Sequence, residues 1–198
     1  MTSTEILRVI DGHYPILMLG LLAPMSDVGI FRVALAVGAF IGMPATILNL
    51  VLMPHVARLY AERDMDRLQR LAKASALVCL SSAVFMTLGA LLAGKIALRV
   101  FFGVDYVDSW IPLLLIGVAY VVSGFFGSAA TILNMVGQER AVAIAFLISP
   151  LIGVPTTVVL YPSLGVVAAG IAMIVSYGIQ GVFLFFVAKT RLKINILM

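Results

Sequence analysis

The sequence is poor in charge, and it has one cysteine and two histidines. Each shortage excludes something. Charged residues make up 11% of the chain and hydrophobic ones 63%, against roughly 25% and 45–50% in soluble domains. A water-facing domain of 198 residues has no place to hide that much apolar surface. The mean hydropathy of +1.16 fits a chain whose solvent is lipid. Cys79 can form no disulfide within the chain and sits in an apolar run, so it reads as a packing residue. The chain shows no histidine pair at metal-ligand spacing, no cysteine cluster, no glycine-rich phosphate loop and no Ser-His-Asp set. The paired acids Asp64/Asp66 and Asp105/Asp108 fall in connections, where solvation accounts for them. An enzyme is not expected, and no cofactor is implied. The net charge of +4 resides in short connections with no interleaved aromatics for bases to stack on, which speaks against a nucleic-acid partner.

What the chain does have is long apolar runs, and these predict an all-α bundle of six transmembrane helices. Five are uninterrupted, at about Val28–Met53, Leu71–Ala93, Ile111–Val136, Ala141–Leu160 and Gly165–Ala188. The first, about Thr4–Ala23, carries Glu5, Arg8, Asp11 and His13 in its first half and Pro15 at its middle. It lacks the pattern of a signal peptide and reads as a helix facing something polar. The connections carry turn chemistry at Pro24–Gly29, Gly137–Arg140 and Tyr161–Gly165, so consecutive helices are expected to run antiparallel.

Ten of the thirteen basic residues then fall on one face: Arg8, Arg58, Arg63, Arg67, Arg70, Lys73, Arg140, Lys189, Arg191 and Lys193. That face is expected to be cytoplasmic and to hold both termini. Its densest part, PHVARLYAERDMDRLQRLAK at 54–73, holds eight of the 22 charged residues. Pro54 is expected to end the second helix and Asp64 to cap the third. Residues 54–70 then form a cytoplasmic elbow with Arg58/Glu62 and Asp66/Arg70 at i, i+4. KIALRVFFGVDYVDS, at 95–109, mixes aromatics and charges as an outer interfacial segment would.

Ionisable and amide side chains inside such spans are the candidate functional residues, because at least ~2.5–3.5 kcal/mol opposes each charge at the bilayer centre. Arg8, Asp11 and Pro15 share one side of the first helix at i, i+3, i+7. They form either a mutually neutral pair that orients the helix or one wall of a polar cavity. His13 points elsewhere on the wheel, as a satisfied packing histidine would, and His55 reads as loop. Arg32 lies in an apolar helix with Asp27 as its nearest acid, and facing inward it would meet an anion. Ala34-Gly38-Gly42 and Ala168-Ala172-Ser176, continued by Gln180, have the spacing of close helix contacts. Gly117, Tyr120, Gly124, Gly127, Thr131 and Asn134 form a small or polar stripe, suited to a helix seam or to lining a path.

SDVGIFRVALAVGAFIGMPATILNLVLMPHVARLYAERDMDRLQRLAK, at 26–73, resembles the seventh-to-ninth helix region of the polysaccharide and lipopolysaccharide flippases. These belong to the multidrug/oligosaccharidyl-lipid/polysaccharide exporter superfamily. Asp11 in the preceding helix, FFGVDY at 101–106 and YPSLGVVAAGIAMIVSYG at 161–178 before a basic tail agree in order and spacing. The resemblance covers the family's C-terminal lobe. It implies one lobe of a two-lobe transporter, with an N-terminal six-helix lobe as partner, in a bacterial-type cytoplasmic membrane. It further implies export of a lipid-linked, polyprenyl-pyrophosphate oligosaccharide by alternating access. On this resemblance Arg8, His13 and Arg32 would supply positive charge, Asp11 a carboxylate for coupling to H+ or Na+, and Asn49, Asn134 and Gln180 contacts to sugar. A multidrug exporter lobe of the same superfamily and a non-transporting scaffold or gene remnant are the alternatives. MDRLQRL and FFGVDY favour the glycan branch.

Overall fold

In the computed structural model, which describes residues 3–192, every regular element is a helix. The order is α1 (Ser3–Leu22), α2 (Met25–Ala61), α3 (Met65–Phe101), a 3-10 helix (Val104–Ser109), α4 (Trp110–Phe125), α5 (Ala129–Met135), α6 (Glu139–Leu164) and α7 (Val167–Leu192). Among the described residues, five helical segments are long and apolar enough to cross a membrane: α2, α3, the 3-10 helix with α4, α6 and α7. The chain is thus consistent with a multi-pass membrane protein. Lys193 and both termini lie outside the described residues.

Several boundaries differ from the sequence reading. Helix α2 does not stop at Pro54 but continues to Ala61. Proline removes one backbone donor, and a long helix absorbs that loss by bending rather than ending. His55 is therefore on a helix, its Nδ1 2.9 Å from Val51 O one turn earlier. Helix α6 likewise runs through Pro162 to Leu164, and Gly165, at φ 55°, makes the turn. Helix α3 extends to Phe101, so the irregular segment expected from Lys95 begins only at Phe102. The expected fourth span is two helices, α4 and α5, which makes seven α-helices where six were expected.

At 37 residues each, α2 and α3 are about 55 Å long, well beyond the roughly 30 Å hydrocarbon core. Near their joint end Val56, Leu59 and Leu68 remain buried. There the Asp64 carboxylate accepts the Arg67 N–H at 3.0 Å, the expected cap. Arg58 and Glu62 pair at 3.8 Å as their spacing predicts, and in place of Asp66/Arg70, Arg67 stands 3.2 Å from Asp64.

The interior is divided in two. Near the elbow, Leu52, Val56, Leu68, Ile132, Leu133 and Val142 are among the buried residues of one apolar core. At the opposite end Leu19, Phe31, Leu98, Leu113, Ile116 and Met173 belong to a second. Helix α4 packs against α2, α3 and α7, and α1 lies chiefly on α6. Both small-residue stripes serve close packing. A Cβ at Gly38 would come within 2.7 Å of Ile116, and Ala168, Ala172 and Ser176 are fully buried.

Candidate functional site: a polar cavity between two apolar cores

Between the two cores lies a cavity of about 340 Å³. Helix α1 contributes Thr4, Arg8, Asp11 and Gly12; α2 contributes Gly42, Ala45, Thr46, Asn49 and Met53; α7 contributes Tyr177, Gln180, Gly181 and Leu184. The remaining wall is Phe146 of α6 together with the stretch where α4 gives way to α5: Tyr120 and Ser123 of α4, Phe126-Gly127-Ser128, and Ala129, Ala130, Thr131 and Asn134 of α5.

The break has a local cause. Gly127 adopts φ 58°, a left-handed conformation that glycine enters without penalty. It also presses on α3, where a Cβ would come within 2.7 Å of Ala76 Cα. Its N–H turns to Gly124 O at 2.9 Å, and α5 restarts with Ile132 N–H on Ser128 O at 2.9 Å. The stripe on this span therefore does both things that its residues suit. Gly117 and Gly124 pack closely on Thr87 and on the backbone at Cys79, while Tyr120, Gly127, Thr131 and Asn134 line the cavity.

Buried polar atoms concentrate here. Asp11 Oδ1, Asn49 Oδ1, Ser128 Oγ, Asn134 Oδ1 and Gln180 Nε2 are buried with no partner in the protein. Such groups are rare in native structures, and each costs about 1–3 kcal/mol if left dry. A cavity of this size with several polar partners is one that water can occupy. Ser149 and Gln180 are the side chains facing the Asp11 carboxyl, with Ser149 Oγ also unpartnered. Beside them Tyr14 donates to Ser176 Oγ at 3.1 Å, and Ser176 donates to Ser149 O at 3.0 Å. This chain of contacts fixes α1 on α6 and α7 and aims Asp11 at the cavity.

Of the seven candidate residues, the structure brings five together at the cavity: Arg8, Asp11, Asn49, Asn134 and Gln180. Asp11 is buried and Arg8 lies exposed. The other two are elsewhere. His13 is exposed and uses Nδ1 on Val9 O at 2.8 Å within its own helix. Arg32 is also exposed and does not line the cavity. Seventeen positions separate it from Asn49, roughly 25 Å along the axis of α2. The neighbouring Phe31 and Ala34 take the buried face of α2 there, which leaves Arg32 on the exposed side of this bundle. Sequence reasoning passed over Thr46, Ser128, Ser149 and Tyr177. A usable signal existed for two of them: Ser128 follows Gly127 and Ser149 precedes Pro150, and a hydroxyl beside a helix breaker inside a span often serves freed backbone groups.

Comparison with known proteins adds no relative: no family model, no curated protein and no solved structure matches the chain.

Proposed function

We propose that this chain is one lobe of a transporter that moves the polar head of a lipid-linked saccharide across a bacterial-type cytoplasmic membrane. The observation that carries this reading is the break at Gly127 and Ser128 beside five buried, unpartnered polar atoms. Irregular backbone at membrane depth is tolerated where it is buried in protein or lines a water-filled cavity, and discontinuous helices mark binding sites in many transporters. The lining supports a sugar better than an apolar drug, because Asn49, Ser128, Asn134 and Gln180 offer amides and a hydroxyl. Arg8 and Asp11 line the same cavity; in this reading Arg8 meets the pyrophosphate and Asp11 couples transport to H+ or Na+.

In this reading the chain crosses the membrane six times. Helix α1 makes the first pass, and α4 with α5 the fourth. The elbow and both termini are cytoplasmic, following the ten-to-three sorting of basic residues. The working partner is a separate six-helix lobe, N-terminal in the flippase arrangement, and substrate passes between the two by alternating access. Depleting the protein from the cells that make it tests the proposal. Lipid-linked saccharide should accumulate on the cytoplasmic leaflet, scored with a membrane-impermeant glycan-modifying enzyme. Unchanged sidedness at full depletion would contradict it.

A further inference from the structure

A second concave site lies at the opposite end of the bundle. It is a groove of about 370 Å³ between the start of α2, the last turns of α3, the 3-10 helix and the α6–α7 turn. Ile30, Ile111 and Val167 give it apolar walls, and Lys95 and Asp108 are the charged residues that line it. Both are exposed, and among the described residues neither makes an ion pair.

The cation is held in place. Lys95 Nζ lies 4.2 Å from the centroid of the Trp110 ring, an attraction of the ring's negative face for the ammonium. The ring is itself anchored, since Trp110 Nε1 donates to Ala90 O at 3.1 Å. It sits over Gly94, where a Cβ would approach Trp110 Cδ1 to 3.0 Å. A lysine whose only role was to reach water would need no such seat. With a tryptophan beneath the ammonium at the end of apolar helices, the groove has the composition of a membrane–water interface. Its available occupant there is lipid.

We propose that this groove binds a zwitterionic phospholipid of the phosphatidylethanolamine type, with the phosphate on Lys95, the primary ammonium on Asp108 and an acyl chain along the apolar wall. Charge selects the headgroup. One cation and one acid over an apolar trough complement a headgroup that carries one charge of each sign. An anionic glycerol headgroup would set its single negative charge near Asp108 and could offer the carboxylate only neutral hydroxyls, with no positive charge to balance it. A choline headgroup carries the positive charge but has no N–H to donate to Asp108. The site stands independently of the transport reading.

Native mass spectrometry of the purified full chain tests it, titrating phosphatidylethanolamine, phosphatidylcholine and phosphatidylglycerol of matched acyl chains. Phosphatidylethanolamine should be retained roughly tenfold better than either rival, as expected for one added charge-assisted hydrogen bond. Lys95→Ala and Asp108→Asn should each remove that advantage, and Lys95→Arg should keep most of it. Asp108→Asn alters an exposed side chain, so the test survives if Lys95→Ala fails to fold by circular dichroism. Equal retention of the three lipids, or retention of phosphatidylethanolamine that ignores Asp108→Asn, would overturn the proposal. So would a preference for phosphatidylglycerol.

Discussion

Tyr14 of α1 and Ser176 of α7 are 162 positions apart and joined by a buried hydrogen bond of 3.1 Å. The Tyr14 ring packs on Gly153 of α6, where any larger side chain would collide with it. Asp11, one turn earlier, is thereby held at the cavity. Tyr14→Phe should cost about 0.6–1 kcal/mol, the usual worth of one such bond, and Tyr14→Ala about 3–5 kcal/mol, since it also empties the ring's site. Chemical unfolding in mixed micelles measures both. Equal costs for the two variants would mean that the ring contributes nothing.

Gly127→Ala should damage the break directly. The residue meets both a left-handed backbone and the Ala76 main chain at 2.7 Å, so the loss should exceed the roughly 1 kcal/mol of a φ penalty alone. Gly137 is a control, because it also has positive φ, 79°, but nothing lies near its Cβ position. Gly137→Ala should therefore cost about 1 kcal/mol and leave the cavity intact. If thermal unfolding in detergent ranks the two alike, contact with α3 does not shape the break.

Function and stability should separate at the amides. Asn49 Oδ1 and Asn134 Oδ1 are buried without partners, so Asn49→Leu and Asn134→Leu should leave stability unchanged or raise it, because an apolar group removes the desolvation penalty. Transport should fall at least about tenfold, the loss of roughly 1.4 kcal/mol of substrate interaction. Arg32→Gln, outside the cavity, should transport normally. Variants that lost stability and transport in parallel would make these amides structural.

How much of this could be read in the chain follows from what each signal encodes. Asp11, Asn49, Asn134 and Gln180 stand out because a polar group in an apolar span needs a reason to be there. The wheel separates His13 from Asp11, but the orientation of Arg32 is not legible, since a helical wheel gives relative angles and only packing at Phe31, Ala34 and their partners fixes which face is buried. The α4–α5 break was hidden for a related reason. Spacings of three and four continue across Gly127, so periodicity reads an unbroken helix, and the turn becomes visible only once α3 is beside it. Pro54 misled in the opposite direction, as a breaker inside a helix long enough to continue past it.

The side of the elbow can be measured independently. With Cys79 replaced by alanine, single cysteines at Asp66 and Ser163, both exposed, should react with a membrane-impermeant maleimide from opposite sides. Reaction of both from one side would exclude a single crossing by α6 and an elbow opposite the α6–α7 turn.

The most direct measurement is where the saccharide itself contacts the protein. A polyprenyl-pyrophosphate oligosaccharide carrying a diazirine on its sugar, irradiated in membranes that contain the working transporter, should label the cavity wall around Thr46, Asn49 and Thr131. Exposed apolar positions away from the cavity, such as Leu92, 81% exposed on α3, should remain unlabelled. Labelling confined to the outer surface, with none in α2 or α5 at the cavity, would contradict this cavity as a place where the saccharide head is held.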